Sequence, residues 1–514
     1  MSLNSTQIED AFTTTDEDIR MLLSNILNLN LENDSNQMVI ISTINKLLST
    51  SRNRLQGLDF LNLIINNCSS RVISENAFTW ISHCLVKYSG DNLKEIKLVT
   101  IGKIVENVYN EQEFTKRFIS DYISKVLENC LSAHINSHES EAALETLSIC
   151  MKHYGSWFST HKTKIESYLL TFLENSSEKL VEKAAAAFHY LQQIGGAGVD
   201  GINHKTNFST NFQKLCATVQ KLFDKFLENQ TEIEHSDRSN QEGFEFIDLP
   251  HYSQKMLHIT ARRIRNCLKF IMTMLLKSFP VAKEIIPIHL LDIINRGTAI
   301  HQCLSMGNEK SLEDFQFSLL LNKIQVQLLQ LLRIFIVWGQ ANLLPFSFII
   351  SKIQIDCLNK SQNCQCFKTD CLFQEVVYKV LGCWLRISKN AVHAHFQTQL
   401  VTCILKDITP VTNSVTLSHF REIVSARLPF VSSEIFMTKE VVQEPETIFD
   451  DQVLGELNNQ TECRSKETNE EEAVDIESTV DTNQDETNAL EESNIMPEAL
   501  LAEKIYYSYR CSSN

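Results

Sequence analysis

The densest set of potential ligands is a group of thiols, Cys357, Cys364, Cys366 and Cys371, spaced C-x6-C-x-C-x4-C. Four thiolates could hold a zinc ion, whose tetrahedral shell accepts soft sulfur donors. The paired C-x2-C knuckles of structural zinc sites are absent, however. Lys360, Gln362 and Asn363 give the stretch the composition of an exposed loop between helices. The plainer expectation is a cysteine-rich loop with no metal. His393 and His395 flank Ala394 and point to different faces of a helix, unlike the i, i+4 pair of H-E-x-x-H metalloproteases. His83, His153 and His189 fall singly in helical patterns and read as helix-face residues. No P-loop and no G-x-S-x-G nucleophile elbow occurs, and no G-x-G-x-x-G dinucleotide loop is expected. The residues present supply no catalytic constellation, and the expectation is a protein that is not an enzyme and needs no cofactor.

Arg262, Arg263 and Arg265, in the run TARRIRNCLKF, are the densest basic cluster. They could contact phosphate, but on an amphipathic helix they read first as a polar face with Ile264 and Leu268 turned inward. Leu328-Leu329-Gln330-Leu331-Leu332 is the one L-x-x-L-L of the chain, the pattern of a short helix held in a receptor groove. Leu328, Leu331 and Leu332 are therefore candidate partner-binding residues, weighed against a plain role in the core. The acidic stretch with Glu470, Glu471, Glu472, Asp475 and Glu477 is a further candidate. It would either attract basic partners such as histones or ribosomal proteins, or only solubilise the chain.

The frame that must carry these residues is legible in composition and period. The 514 residues include 14 Gly and 8 Pro, together about 4% against a usual ~12%. All-β sandwiches and glycine-dependent nucleotide folds are excluded on that ground. Apolar residues make up 43%, enough for a large core. They recur in steps of three and four: Leu98, Ile101, Ile104, Val105, Val108; then Tyr122, Ile123, Val126, Leu127, Cys130; then Leu144, Leu147, Cys150, Met151, Tyr154. Asn175-Ser176-Ser177-Glu178 reads as an N-cap with a Glu three residues on, before Leu180, Val181, Ala184, Ala187, Phe188 and Leu191. Gly195-Gly196-Ala197-Gly198 stops that helix. Helix hairpins of about 40 residues, repeated, predict an all-α, HEAT/armadillo-like helical-repeat solenoid with a disordered acidic C-terminal tail. An irregular all-α domain is the alternative.

The expected organisation is a flexible N-terminus (1–14), an N-terminal helical-repeat domain (15–227), a polar linker or loop (228–245), a second helical-repeat segment (246–436) and the acidic tail (437–514). The net charge is −16, and Val441 to Leu500 alone holds 18 Asp/Glu against Arg464 and Lys466. The rest of the chain is close to neutral, which argues against a broad nucleic-acid face. Cys68, Cys84, Cys130, Cys150, Cys216 and Cys267 sit singly in apolar runs and read as core residues of a reducing compartment, cytosol or nucleus. The N-terminus is polar and unlike a signal peptide. Phe315 to Ile336 is the longest apolar stretch; it carries Lys323 and Arg333 and reads as a buried helix rather than a membrane span.

Several stretches, in order over roughly 20–430, resemble one family. Gly57-Leu58-Asp59-Phe60-Leu61-Asn62-Leu63, with Trp80 about twenty residues on, resembles the opening of the Rix-type domain. The run ALETLSICMKHYG and the helix ending before Gly195 and Gly198 agree with it, as do Ile286-Pro287-Ile288 and VVYKVLGCWL from Val376 to Leu385. The family is that of the proline-, glutamic acid- and leucine-rich, Rix-type pre-rRNA processing scaffolds. The resemblance implies a non-enzymatic scaffold for large ribosomal subunit biogenesis, acting in pre-rRNA internal transcribed spacer processing and pre-60S maturation in the nucleolus and nucleoplasm. It implies as partners a WD-repeat propeller, a second helical-repeat protein, the midasin ATPase on the pre-60S particle, an endoribonuclease–polynucleotide kinase pair and a SUMO protease. It further implies a homodimer and indirect RNA contact. Gly57, Leu58, Asp59, Leu61, Trp80, Gly195 and Gly198 would be structural family residues. Other readings are a transcriptional coregulator binding receptors or chromatin and a helical-repeat transport adaptor. For the adaptor, four tryptophans are too few to line a cargo groove.

Overall fold

The computed structural model describes residues 34–86, 93–135, 138–228, 242–246, 254–300, 312–363, 371–389 and 394–408. Among the described residues the regular elements are helices and no strand occurs. The chain divides into two compact units. The acidic tail, with Glu470, Glu471, Glu472, Asp475 and Glu477, lies outside the described residues.

The first unit draws on Met1–Phe226, Asn240–Met274 and Phe279–Ile285. Its helices are α1 (Asp34–Ser49), α2 (Arg54–Ile64), α3 (Ser70–Leu85), α4 (Lys94–Val108), α5 (Gln112–Asp121), α6 (Ile123–Leu131), α7 (His138–Tyr154), α8 (Lys162–Thr171), α9 (Glu178–Leu191), α10 (Ile202–Phe226) and α11 (Gln254–Leu276). Helices α2, α4, α7 and α9 pack side by side in that order, and α1, α3, α6 and α8 pair with them. Every second or third helix thus stacks on its counterpart, the arrangement of a helical-repeat array. The apolar steps read from the sequence face inward: Leu98, Ile101, Ile104, Val105 and Val108 of α4 are all buried, as are Leu144, Leu147, Cys150 and Met151 of α7. A row at i, i+3, i+4 covers one side of a helix, so two such helices bury their rows against each other.

The start of α9 lies two residues beyond the sequence expectation. Ser177 is the N-cap, its Oγ accepting from the Leu180 amide at 3.5 Å. Asn175 accepts instead from the Ser177 amide at 2.8 Å, closing a small turn that presents Ser177 to the helix. The end of α9 is as expected, with Gly195 and Gly196 at φ +98° and +80°.

The expected division at residue 246 does not coincide with the units, because α11 packs on the first. Its Asn266 donates to the carbonyls of Leu173 (3.0 Å) and Asn175 (2.9 Å), between α8 and α9. The expected linker 228–245 also contributes structure: Glu242 to Glu245 belong to the first unit, where the Phe244 amide donates to Thr218 Oγ1 at 2.7 Å.

The second unit draws on Leu227–Ser239, Leu275–Ser278 and Ile286–Asn514. It holds α12 (Pro287–Ala299), α13 (Leu312–Gly339), α14 (Ser347–Asn363), α15 (Cys371–Ser388) and α16 (Ala394–Ile408). Pro287 occupies the first turn of α12, where a missing N–H costs nothing. Helix α13 packs against α12 and α15, and α14 against α12, α15 and α16. By length and composition α13 could pass for a membrane span. Its Ile324, Leu328, Leu329, Leu331, Leu332, Phe335 and Ile336 are instead fully buried within the unit.

Candidate functional site

The structure removes several chemical candidates by placing their side chains. Leu328, Leu331 and Leu332 are each 0% exposed. A receptor groove needs those leucines on an open helix face, so their candidacy as partner-binding residues is corrected: they are core. Cys357 is fully buried in α14, and burial pushes its thiol up to about 12. Cys371 opens α15, while Cys364 and Cys366 lie outside the described residues. Burial likewise pushes Cys84, Cys130 and Cys216 up to about 12. Such thiols stay protonated at neutral pH and behave as small apolar groups. No cluster of three or more His, Cys, Asp or Glu with metal-binding geometry occurs among the described residues.

The histidines are also built into packing. His189 is fully buried, with its ring 5.4 Å from that of Phe279. His153 stacks on Tyr109 at 3.7 Å. Burial, with a smaller push from Lys152 against a pull from Glu106, lowers it to about 4. His395 is exposed beside Gln399, and His393 lies outside the described residues.

The basic cluster splits. Arg262 is exposed, but the Arg263 side chain is only 3% exposed and pairs with Glu174 at 2.5 Å. Its guanidinium lies 4.6 Å above the Phe246 ring. Arg263 is thus a tie between α11 and the α8–α9 turn rather than a phosphate contact. The signal was present in the spacing: Arg263 falls between Thr260 and Cys267 on a face continued by Phe270, all buried.

The family residues build the fold. Leu58, Leu61 and Trp80 are fully buried, and Trp80 Nε1 donates to Asn45 Oδ1 at 2.7 Å. At Gly57 a β-carbon would come within 3.1 Å of Leu47 Cβ and of the Leu48 backbone, so α2 approaches α1 closely. Asp59 is half-buried on α2. Gly198 sits at φ +73°. Gly196 to Gly201 spells G-x-G-x-x-G, which corrects the expectation that the chain lacks that pattern. It follows helix α9, whereas dinucleotide binding requires a strand before the loop.

What the first unit offers is surface. Across α4, α7 and α9 run ion pairs of alternating sign: Lys94–Glu139 (3.4 Å), Lys152–Glu106 (3.4 Å), Lys179–Glu141 (2.9 Å) and Lys183–Glu145 (3.1 Å). Lys269 of α11 continues the row, bonded to Glu178 and to Glu182. Basic groups paired in this way leave the surface with little net positive charge to attract a nucleic-acid backbone. The arrangement suits protein contacts.

Comparison with known proteins agrees with the resemblance read from the sequence. A family model, RIX1, described as rRNA processing/ribosome biogenesis, matches residues 3–180. The chain is 22% identical over 403 residues to "Proline-, glutamic acid- and leucine-rich protein 1" of Xenopus laevis, covering 74% of this chain and 39% of that protein. The Mus musculus protein of the same name is 21% identical over 404 residues, covering 74% and 35%. The chain therefore spans well under half the length of these relatives. A chain of the solved Rix1–Rea1 pre-60S particle, from its Rix1 subcomplex, superposes with a TM-score of 0.55 at 11% identity, covering 80% of this chain and 78% of that one. That likeness is one of fold, and its helical-repeat architecture is the one described above.

Proposed function

We propose that this chain is a non-enzymatic scaffold for biogenesis of the large ribosomal subunit. The observation that carries the reading is the rRNA-processing family match over residues 3–180, whose described part is a stack of helices with paired charges on its surface. Stacked helix pairs present long surfaces on which several proteins can bind at once, raising their effective concentration without new chemistry.

On this reading the chain works in the nucleus, chiefly the nucleolus, and supports internal transcribed spacer processing and pre-60S maturation. Its partners are a WD-repeat propeller, a second helical-repeat protein and the midasin ATPase, joined by an endoribonuclease–polynucleotide kinase pair and a SUMO protease. It acts as a homodimer and reaches RNA through those partners. The receptor-coregulator reading is left without its motif, since Leu328, Leu331 and Leu332 are buried.

The test is affinity purification of the endogenous protein from nuclear extract with mass spectrometry, joined to northern blots after depletion. Recovery of the propeller and midasin with accumulation of spacer-containing pre-rRNA is the expected result. Receptors or chromatin factors with normal pre-rRNA would overturn the assignment.

A further inference from the structure

The lysines of α8 and α10 differ from the paired lysines of α4, α7 and α9. These two helices hold six lysines against two carboxylates, Glu166 and Asp224. Among the described residues no ion pair joins Lys162, Lys214 or Lys221 to a carboxylate. Lys162 Nζ instead donates to Asn207 Oδ1 at 2.9 Å, which fastens α8 to α10. Lys214 Nζ stands 5.8 Å from the centre of the Phe244 ring. Burial lowers the Lys162 pKa; Glu166 pulls it back up, and Lys214 pushes it down, so the two ammonium groups stand near enough to repel each other.

These cations form a stripe. Asn203, Asn207, Thr210, Lys214, Lys221 and Lys225 follow one another along one face of α10 in steps of three, four and seven, turned away from the buried Phe208, Leu215 and Val219. From Asn207, where Lys162 joins the stripe, to Lys225 the helix rises about 27 Å. Lys221, Lys225, Asn203 and Thr210 are exposed. Beside Lys162, the half-buried Trp157 stacks on His161, ring centroids 5.3 Å apart at 29°. Ile202, at the first residue of α10, is the one large apolar side chain exposed on that helix, so the stripe has no apolar anchor of the kind a protein interface centres on. A line of unpaired ammonium groups with hydroxyl and amide donors between them, ending at an aromatic plane, matches a nucleic-acid strand instead.

We infer that this face of α8 and α10 binds the phosphate backbone of single-stranded RNA directly, with Trp157 and His161 as the plane on which a base stacks. The inference goes beyond the proposed function, in which RNA is reached through partners, and it stands or falls apart from it. It concerns a stripe one helix wide, which a chain of net charge −16 can carry because charges more than about 10 Å away are largely screened at 0.1 M salt.

The probe is a fluorescein-labelled oligouridine of about 20 nucleotides, titrated by anisotropy into the full chain at several salt concentrations. Contacts from Lys162, Lys214, Lys221 and Lys225 should give log K against log salt a slope of about −2.8. Lys214→Gln/Lys221→Gln should halve that slope to about −1.4 and weaken binding ~25-fold at 0.1 M salt. Lys179→Gln/Lys183→Gln, which removes equal charge from the paired surface of α9, should change neither. Trp157→Ala should weaken binding at least ~5-fold with the slope unchanged. No binding by the unaltered chain, or equal losses in the two lysine variants, overturns the inference. So does displacement of the probe by polyglutamate of the same length as readily as by unlabelled oligouridine, which would assign the stripe to an acidic protein segment. Should a double variant lose its helical circular dichroism, the exposed Lys221→Gln alone decides: a slope less steep by about 0.7 supports the contact, and an unchanged slope overturns it.

Discussion

His153 and Arg263 show what single side chains do in this fold. Between about pH 6.5 and pH 4 the unfolded chain protonates His153 while the folded chain, holding it at about 4, does not. The unfolded state then binds more protons, so stability is full above about 6.5 and falls as pH drops toward 4. His153→Phe keeps the stack on Tyr109 and removes the titration. Urea midpoints across this range should fall less for the variant, and identical slopes would refute the assignment. Arg263→Ala removes a buried cation that ties α11 to Glu174 and covers Phe246. It should cost about 1–3 kcal/mol in urea denaturation. Glu174 is 41% exposed, so Glu174→Gln should cost less than about 1 kcal/mol. Equal losses would mean that the pair, and not the packing of the guanidinium, sets the energy.

Helix ends are where the elements are held in register. Lys360 of α14, buried, donates to the carbonyls of Thr298 and Ile300, both at 2.6 Å, where α12 ends. Gln325 of α13 donates to Gly297 O at 3.0 Å and Ile300 O at 3.2 Å. Three helices thus meet at one set of carbonyls left over by α12, and the ammonium also favours the negative end of its dipole. Lys360→Met keeps the stem and removes the donors. It should destabilise the protein by about 2–4 kcal/mol and raise hydrogen exchange in α12 first, whereas unchanged exchange there would sink the account. Between α9 and α10, Gly201 adopts φ +71°, and a β-carbon would fall 2.3 Å from Val281 Cγ1. Gly201→Ala should therefore cost more than the about 1 kcal/mol of backbone strain alone. Adding Val281→Ala should recover the steric part, read as a partial return of the melting temperature. No recovery would leave the backbone as the whole cause.

At the scale of the molecule the charges divide the labour. Val441 to Leu500 carries a balance equal to the net −16 of the whole chain, while the surface of α4, α7 and α9 is charge-paired. Deleting 441–500 should leave the melting curve of the helices unchanged. It should slow association with a basic ribosomal protein at low salt, an effect that fades as salt rises past about 0.15 M. A salt-independent change would assign the segment a shaped contact instead.

The apolar period by itself determined that the chain folds as stacked helices, because i, i+3, i+4 spacing is local and survives any choice of neighbour. The apolar runs also placed the single cysteines inside, and the ordered family stretches, with Trp80 among their residues, pointed to the Rix-type scaffolds. The tertiary structure alone decided which faces are covered, by contacts between residues far apart in sequence. Arg263 meets Glu174 across 89 residues, and Lys360 meets Thr298 across 62. Helix α11 joined the first unit through such contacts, Leu328, Leu331 and Leu332 passed from candidate contacts to core, and four residues of an apparent linker, Glu242 to Glu245, fell within the first unit. A sequence window sees a helix's apolar side; the energy that selects its partner lies in the packing of surfaces that no window contains.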